Sequence, residues 1–373
     1  MDFSFTEEQD QLAELARRIV TDALSEERMR AVEAAPERFD ADLYAVLAKA
    51  GILGAGLPTD DGGGGYGLIE LCRVLVELGR AVAPVPVLPS IVMGAMPIAR
   101  FGTREQKSKW VVPAASGERI LTAAVVEDLN PDPASPTTLA TRTDNGWSLS
   151  GTKIVVPAGT IADLFLVPAA TDDGVAVFLA PSSAPGLVVS RQLVTNRDAD
   201  AQIELQGVIV GDGAVLGEIG EGAEIVRWII RHSTVGLCAL QLGVCERALE
   251  LTAEYSKTRV QFDRPIATFQ AVGQRLADAY IDVEGVRLTL WQAVWRLTEG
   301  LPCDQEIDTA KFWASDAGHR IAHTTVHVHG GMGIDLDYHA HRYFVAAKRI
   351  EFVLGTATDH LRALGSALAA EPA

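Results

Sequence analysis

Apolar positions in the first third of the chain recur at helical spacing. Leu12, Leu15, Ile19 and Val20 fall on one helical face, and Thr6 with Gln9 ahead of them has capping-box spacing. Leu43, Val46 and Leu47 predict a second helix ending at Gly51, and residues 68–78 and 105–115 predict two more. The run from Gly62 to Gly65 reads as a loop, because four glycines lose too much backbone entropy to stay helical. Near Ile120 the pattern changes to short β-branched runs separated by Gly, Pro, Asn and Asp. Residues 137–143, Asp144-Asn145-Gly146 and 147–149 predict a hairpin, with Asn-Gly supplying the positive φ angles of a tight turn. Residues 162–168, 175–180, 187–189 and 203–210 predict further strands, and this spacing fits a compact β-barrel or sandwich. Beyond Gly222 helical periodicity returns over 223–256, 269–299, 307–329 and 341–364. Short connections between long helices predict an antiparallel four-helix bundle, with Leu288, Trp291 and Trp295 in its core. The expected fold is α+β and multidomain: a helical N-terminal domain (1–119), a middle β-domain (120–217) and a C-terminal helical bundle (218–373). No internal repeat or low-complexity linker interrupts it.

A net charge of −17 argues against nucleic acid or an anionic membrane as the main partner. Cys72, Cys238, Cys245 and Cys303 are scattered without metal or redox spacing, which suits free thiols in a reducing compartment. The acidic N-terminus lacks a signal-peptide core, so a cytoplasmic location is expected. The most membrane-like stretch, 81–99, is broken by Pro84, Pro86, Pro89 and Pro97. A spanning helix needs roughly 20 apolar residues with few breaks, so this stretch reads as buried loop and helix. His319, His323 and His327 fall on one helical face, but no carboxylate or cysteine completes an evident ligand set, and no metal is expected.

Three further segments carry chemistry. Arg259-Val260-Gln261-Phe262-Asp263-Arg264-Pro265-Ile266, followed by Phe269-Gln270, combines a planar phosphate-matching donor set at Arg259, an apolar surface at Phe262 and a neutral hydrogen-bonding group at Gln270. In His327-Val328-His329-Gly330-Gly331-Met332-Gly333, Gly330 and Gly331 leave backbone N–H groups free to approach phosphate oxygens. The third is Ile350-Glu351-Phe352-Val353-Leu354-Gly355-Thr356.

In order and spacing these segments resemble the flavin-dependent acyl-CoA dehydrogenase family, and the resemblance covers nearly the whole chain. The Gly-Gly-Gly-Tyr-Gly loop ending at Gly67 and the Phe101-Gly102-Thr103-Arg104-Glu105-Gln106-Lys107 segment belong to the same pattern. The resemblance implies FAD as cofactor. It also implies that Arg259, Gln261, Phe262, Gln270, His327, Gly330 and Gly331 serve the adenine and pyrophosphate half of a flavin held mainly by a neighbouring subunit. His327 stands where the family has glutamine.

The chain departs from that family on the side of the flavin ring. Most relatives place a glutamate, the base that removes the substrate's α-proton, immediately before the Gly-Thr pair; here it is Leu354. Val126-Glu127-Asp128-Leu129-Asn130-Pro131-Asp132-Pro133 lacks the glycines and serine of the family's strand end. Val155 replaces a tryptophan that packs on the flavin. Pro157 replaces a hydroxyl residue that hydrogen-bonds its reactive edge. The alternative base position of some relatives aligns with Ser233, a poor base.

The pattern resembles the glutamate-lacking subunit of heterotetrameric acyl-CoA dehydrogenases that act on steroid side-chain CoA thioesters in actinobacteria. It implies no catalytic residue in this chain and a homologous catalytic partner in an α2β2 assembly. Acyl-CoA would sit at the partner's site, with electron-transferring flavoprotein as acceptor. The alternatives are a self-sufficient homo-oligomer with a displaced base such as Glu351, and an assembly module that kept the fold and lost flavin.

Overall fold

The computed structural model describes residues 4–370, so the outermost limits of the predicted domains lie outside the described residues. Among the described residues, twelve α-helices and ten strands group into two compact units. One unit comprises the chain up to Arg28, Leu68–Ala83 and the chain from Thr234; the other comprises Met29–Gly67 and Pro84–Ser233.

In the first unit, helices α1 (Glu7–Ala23) and α4 (Leu68–Arg80) pack with a bundle. The bundle is made of α8 (Gly222–Thr258, its first turns lying in the other unit), α9 (Gln270–Thr298), α10 (Asp304–His329), α11 (Ala340–Phe352) and α12 (Ala357–Ala370). The capping box at Thr6 and Gln9 forms as predicted. The buried face of α1 is centred on Ala13, Ala16 and Val20. Leu12, Leu15 and Ile19 lie half-buried on its flank, because small residues let α1 approach more closely than the leucine spacing suggests.

Helices α4 and α8 meet backbone to backbone. A Cβ at Gly243 would lie 1.9 Å from the Val76 carbonyl oxygen, and one at Gly79 would lie 2.1 Å from that of Leu240. Gly243→Ala must therefore push two helices apart. It is expected to cost about 1–3 kcal/mol, as overpacking does, and an unchanged thermal midpoint would count against this contact.

Two expectations for the bundle change. The predicted helix over 341–364 is broken between α11 and α12, where Leu354 has φ 55° and Gly355 φ 101°. Apolar periodicity runs straight through this turn and so hides it. Leu288 and Trp295 are not core residues of this chain, being 68% and 45% exposed. They lie on the outer face of α9, whose inner face is Val283, Val286, Leu290 and Val294.

In the second unit, helices α2 (Glu26–Ala34, its first residues lying in the other unit), α3 (Ala41–Lys49), α5 (Met96–Phe101), α6 (Arg104–Gln106) and α7 (Val112–Ala115) accompany one connected eight-stranded mixed sheet. Leu43 and Leu47 of α3 are buried, whereas Val46 is 48% exposed. Residues 88–95 form a widened helical turn that is almost wholly buried, so 81–99 is loop and helix as predicted.

The strands are β1 (Leu121–Ala123), β2 (Leu139–Thr143), β3 (Gly146–Val156), β4 (Leu164–Thr171), β5 (Gly174–Pro181), β6 (Leu187–Arg191), β7 (Ala201–Val210) and β8 (Val215–Leu216). Their order is β6-β7-β3-β2-β4-β5-β8, with β1 parallel to β4. The predicted hairpin is β2–β3, closed by the Thr143–Gly146 pair. Its turn differs from the expectation, since Gly146 has positive φ and Asp144 and Asn145 do not. A bulge at Gly207 (φ 68°) shifts the alternation of β7. Ile203 and Leu205 thus face the same core as Val208 and Val210.

Candidate functional site: an outward-facing hairpin and turn, and a closed β-domain edge

The two motifs predicted to serve a flavin's adenine half start from neighbouring helix ends. Near the end of α8, Tyr255 stacks on His329 at the end of α10, with ring centroids 4.3 Å apart. One turn earlier, the Thr252 and Thr325 hydroxyls are hydrogen-bonded at 3.2 Å. These contacts fix the exits of both helices side by side.

From α8 the chain enters a small hairpin of β9 (Val260–Gln261) and β10 (Arg264–Pro265). Its turn residues, Phe262 and Asp263, have φ 53° and 63°, a backbone that costs non-glycine residues about 1–2 kcal/mol each. Phe262 is nonetheless 86% exposed, so burial within this chain does not offset that cost. Phe269 supports the turn from below: it meets Phe262 edge-on at 6.1 Å and carries the Arg264 guanidinium 4.1 Å above its ring. Arg259, Gln261 and Gln270 are exposed, and Arg259 makes no ion pair among the described residues. Strained backbone, a bare aromatic ring and an unpaired guanidinium are together complementary to something outside this chain.

From α10 the chain enters the glycine turn. Gly330 has φ 61° and ψ −137°, which only glycine adopts readily. A Cβ at Gly330 or Gly331 would meet nothing beyond its chain neighbours within 4 Å. Packing within the chain therefore does not require Gly331; a ligand approaching the backbone would. His327 is exposed beside it. These residues fit the phosphate and adenine portion of a dinucleotide cofactor.

The β-domain edge does not fit the ring portion. Val155, with φ 50°, donates its N–H to Gln192 Oε1 at 2.5 Å. Pro157 offers no donor, and its carbonyl accepts from the Thr122 hydroxyl at 2.8 Å.

Sequence reasoning missed the hub of this edge. Glu127 and Lys153 form a fully buried ion pair at 2.7 Å. Glu127 also accepts from the Thr137 N–H and hydroxyl, the Thr138 N–H and hydroxyl, and Asn130 Nδ2. Burial disfavours its charge, but the hydrogen bonds outweigh burial and hold the carboxyl well below the usual carboxylate range. Burial pulls the Lys153 ammonium below its ordinary value, and Glu127 offsets this in part. The pair ties the loop after Val126 to β3. Both residues stand in the family-like segments, and the available signal is a lone lysine ahead of the apolar run Ile154-Val155-Val156.

The two positions weighed as alternative bases are both engaged within the chain. The buried Ser233 hydroxyl donates to its own helix at Ile229 O, 2.6 Å away. Glu351 closes α11 in an ion pair with Lys348 at 2.5 Å, with His319 Nδ1 at 2.9 Å from the same ammonium. Glu351→Gln should leave turnover of a purified complex unchanged, and its loss would restore the displaced-base reading. The His319, His323 and His327 face belongs to no metal-holding group among the described residues.

His232 carries a pH prediction. Burial pushes its imidazole down to about 4, although its bond to the Trp228 carbonyl favours the charged form. The unfolded chain protonates this ring near pH ~6.5. A depressed folded value means stability is present above that pH and lost as pH falls towards 4, by up to about 3 kcal/mol. His232→Phe, which keeps the stack on Trp228, should flatten the acid limb of a stability–pH curve. An identical limb would contradict the assignment.

Sequence models described as the N-terminal, middle and C-terminal domains of acyl-CoA dehydrogenase match residues 6–118, 128–208 and 220–369. The chain is 46% identical to "Acyl-CoA dehydrogenase FadE27" of Mycobacterium tuberculosis, over the full length of both. It is similar to a chain of the ChsE4-ChsE5 complex of Mycobacterium tuberculosis, with 47% identity, TM-score 0.95 and full coverage of both chains. It is also similar to a chain described as "Tcur3481-Tcur3483 steroid ACAD G363A variant", with 43% identity, TM-score 0.91 and coverage of 97% and 98%. Among the described residues no helix is long and apolar enough to cross a membrane.

Proposed function

Because this chain belongs to the acyl-CoA dehydrogenase family, FAD-dependent oxidoreductases acting on CH–CH bonds, we propose that it is the non-catalytic subunit of a hetero-oligomeric member. In this reading its exposed hairpin and glycine turn hold the adenine and pyrophosphate half of a flavin seated in a homologous partner. The observation that carries it is an asymmetry. Arg259, Phe262, Gly330 and Gly331 face outward; the Arg259 guanidinium has no ion-pair partner among the described residues, and no packing within the chain requires Gly331. The ring-side N–H of Val155 is already spent on Gln192, and Leu354 cannot take a proton.

Arg259 supplies charge-assisted donors to phosphate, Gln261 and Gln270 supply neutral hydrogen bonds, His327 supplies a further hydrogen-bonding ring, and Phe262 covers an apolar face. The flavin, when bound, supplies the acceptor for the substrate's β-hydride. The partner supplies the glutamate that takes the α-proton, and an acyl-CoA occupies the partner's site. Two of each chain form the assembly, and electron-transferring flavoprotein receives the electrons. The steroid substrate class rests on the likeness to the Tcur3481-Tcur3483 steroid ACAD, and the heteromeric partner on that likeness and the one to the ChsE4-ChsE5 complex.

Purification of the chain alone tests this reading. It should be nearly colourless and spectroscopically silent to acyl-CoA. A yellow preparation that acyl-CoA bleaches would overturn it.

A further inference from the structure

Helix α12 has no buried residue, and Leu361 and Leu368 on it are 53% and 62% exposed. Burial of apolar surface, the usual anchor of a helix, contributes little to seating it on α10. Polar contacts around the turn that carries Leu354 take that role.

Lys311 of α10 is fully buried and makes no ion pair among the described residues. Its ammonium points at the frayed end of α11 and the turn beyond. It donates to the Ile350 and Gly355 carbonyls at 3.0 Å each and to the Ser315 hydroxyl at 2.8 Å, with the Glu351 carbonyl at 3.3 Å. A cation at a helix C-terminus satisfies carbonyls the helix leaves unpaired and opposes its dipole. From the other side, His360 of α12 places Nε2 3.0 Å from the Leu354 carbonyl and Nδ1 2.7 Å from the Asp308 carboxylate. A Cβ at Gly355 would fall 2.8 Å from His360 Nε2, so glycine there leaves the room the ring needs. Thr356 and Asp359 complete the entry to α12 as a reciprocal cap.

Every one of these contacts to residues 350–355 is to a backbone carbonyl. The Leu354 side chain takes part in none of them. We propose that Lys311 and the Asp308–His360 pair are positioning residues that clamp the Leu354 turn through its backbone and thereby seat α12, independently of the side chain at position 354. The platform on which relatives carry their base thus persists here as a structural joint.

Hydrogen–deuterium exchange on the full-length chain tests the clamp. His360→Ala and Lys311→Met should each speed exchange over 353–370 at least tenfold and leave the peptides of α9 unchanged. Leu354→Ala should leave both regions as in the parent chain. Asp308→Asn, which keeps side-chain shape and removes the charge, should move 353–370 in the same direction as His360→Ala and keeps the test open if the Lys311 or His360 variant fails to fold. The proposal is overturned if His360→Ala and Asp308→Asn leave 353–370 unchanged, or if Leu354→Ala loosens it as much as they do. None of these readouts depends on flavin, so they stand apart from the subunit reading.

Discussion

Lys153→Met is expected to cost about 3–5 kcal/mol, the usual penalty for removing one partner of a buried ion pair. The Lys153 and Glu127 side chains are 0% and 2% exposed. Methionine matches the length of the lysine stem but leaves the Glu127 carboxylate buried without its cation. Four donors from Thr137 and Thr138 remain aimed at it, and they stabilise the charged form that has lost its counter-ion. Protonation therefore offers little relief at neutral pH. For a domain of this size such a loss corresponds to a fall of roughly 10 °C in thermal midpoint. Because Glu127 ties the loop after Val126, proteolysis between Asp128 and Ser135 should accelerate as well. A midpoint within about 2 °C of the parent would mean the pair contributes little, contrary to its burial.

Arg259→Ala should remove most of the flavin from a co-purified complex while leaving the two chains associated. A hydrogen bond to a charged group contributes about 1.5–3 kcal/mol, which raises the dissociation constant roughly ten- to a hundredfold. Arg259 is exposed and anchors no other part of this chain through its side chain, so the variant should fold and melt like the parent. Flavin content by absorbance after gel filtration reads the effect. Unchanged flavin would remove the cofactor role from the hairpin and favour an assembly module without flavin.

The sequence exposed the layout of the chain and the outward-facing motifs for a common reason. Both rest on local signals: helical and alternating periodicity in one case, and clustered Arg, Phe and Gly in the other. What it hid depends on distant packing. The break at Leu354 is invisible to periodicity, because Phe352, Val353 and Leu361 continue the apolar pattern across it. The clamp needs Lys311 and His360, which stand 49 positions apart in the sequence, to converge on carbonyls that no residue type announces. Glu127 and Lys153 likewise meet only once β3 has folded past the preceding loop. Leu288 and Trp295 show the converse limit. Their spacing promises a core position, but spacing does not say whether the surface they meet belongs to the same chain.

The central claim is that this chain completes a flavin site that it does not own. The ratio of flavin to protein chains in the complex co-purified with its catalytic partner tests that most directly. One flavin for every two chains, with none retained by this chain after separation, is the predicted result. Equal numbers of flavins and chains would contradict it.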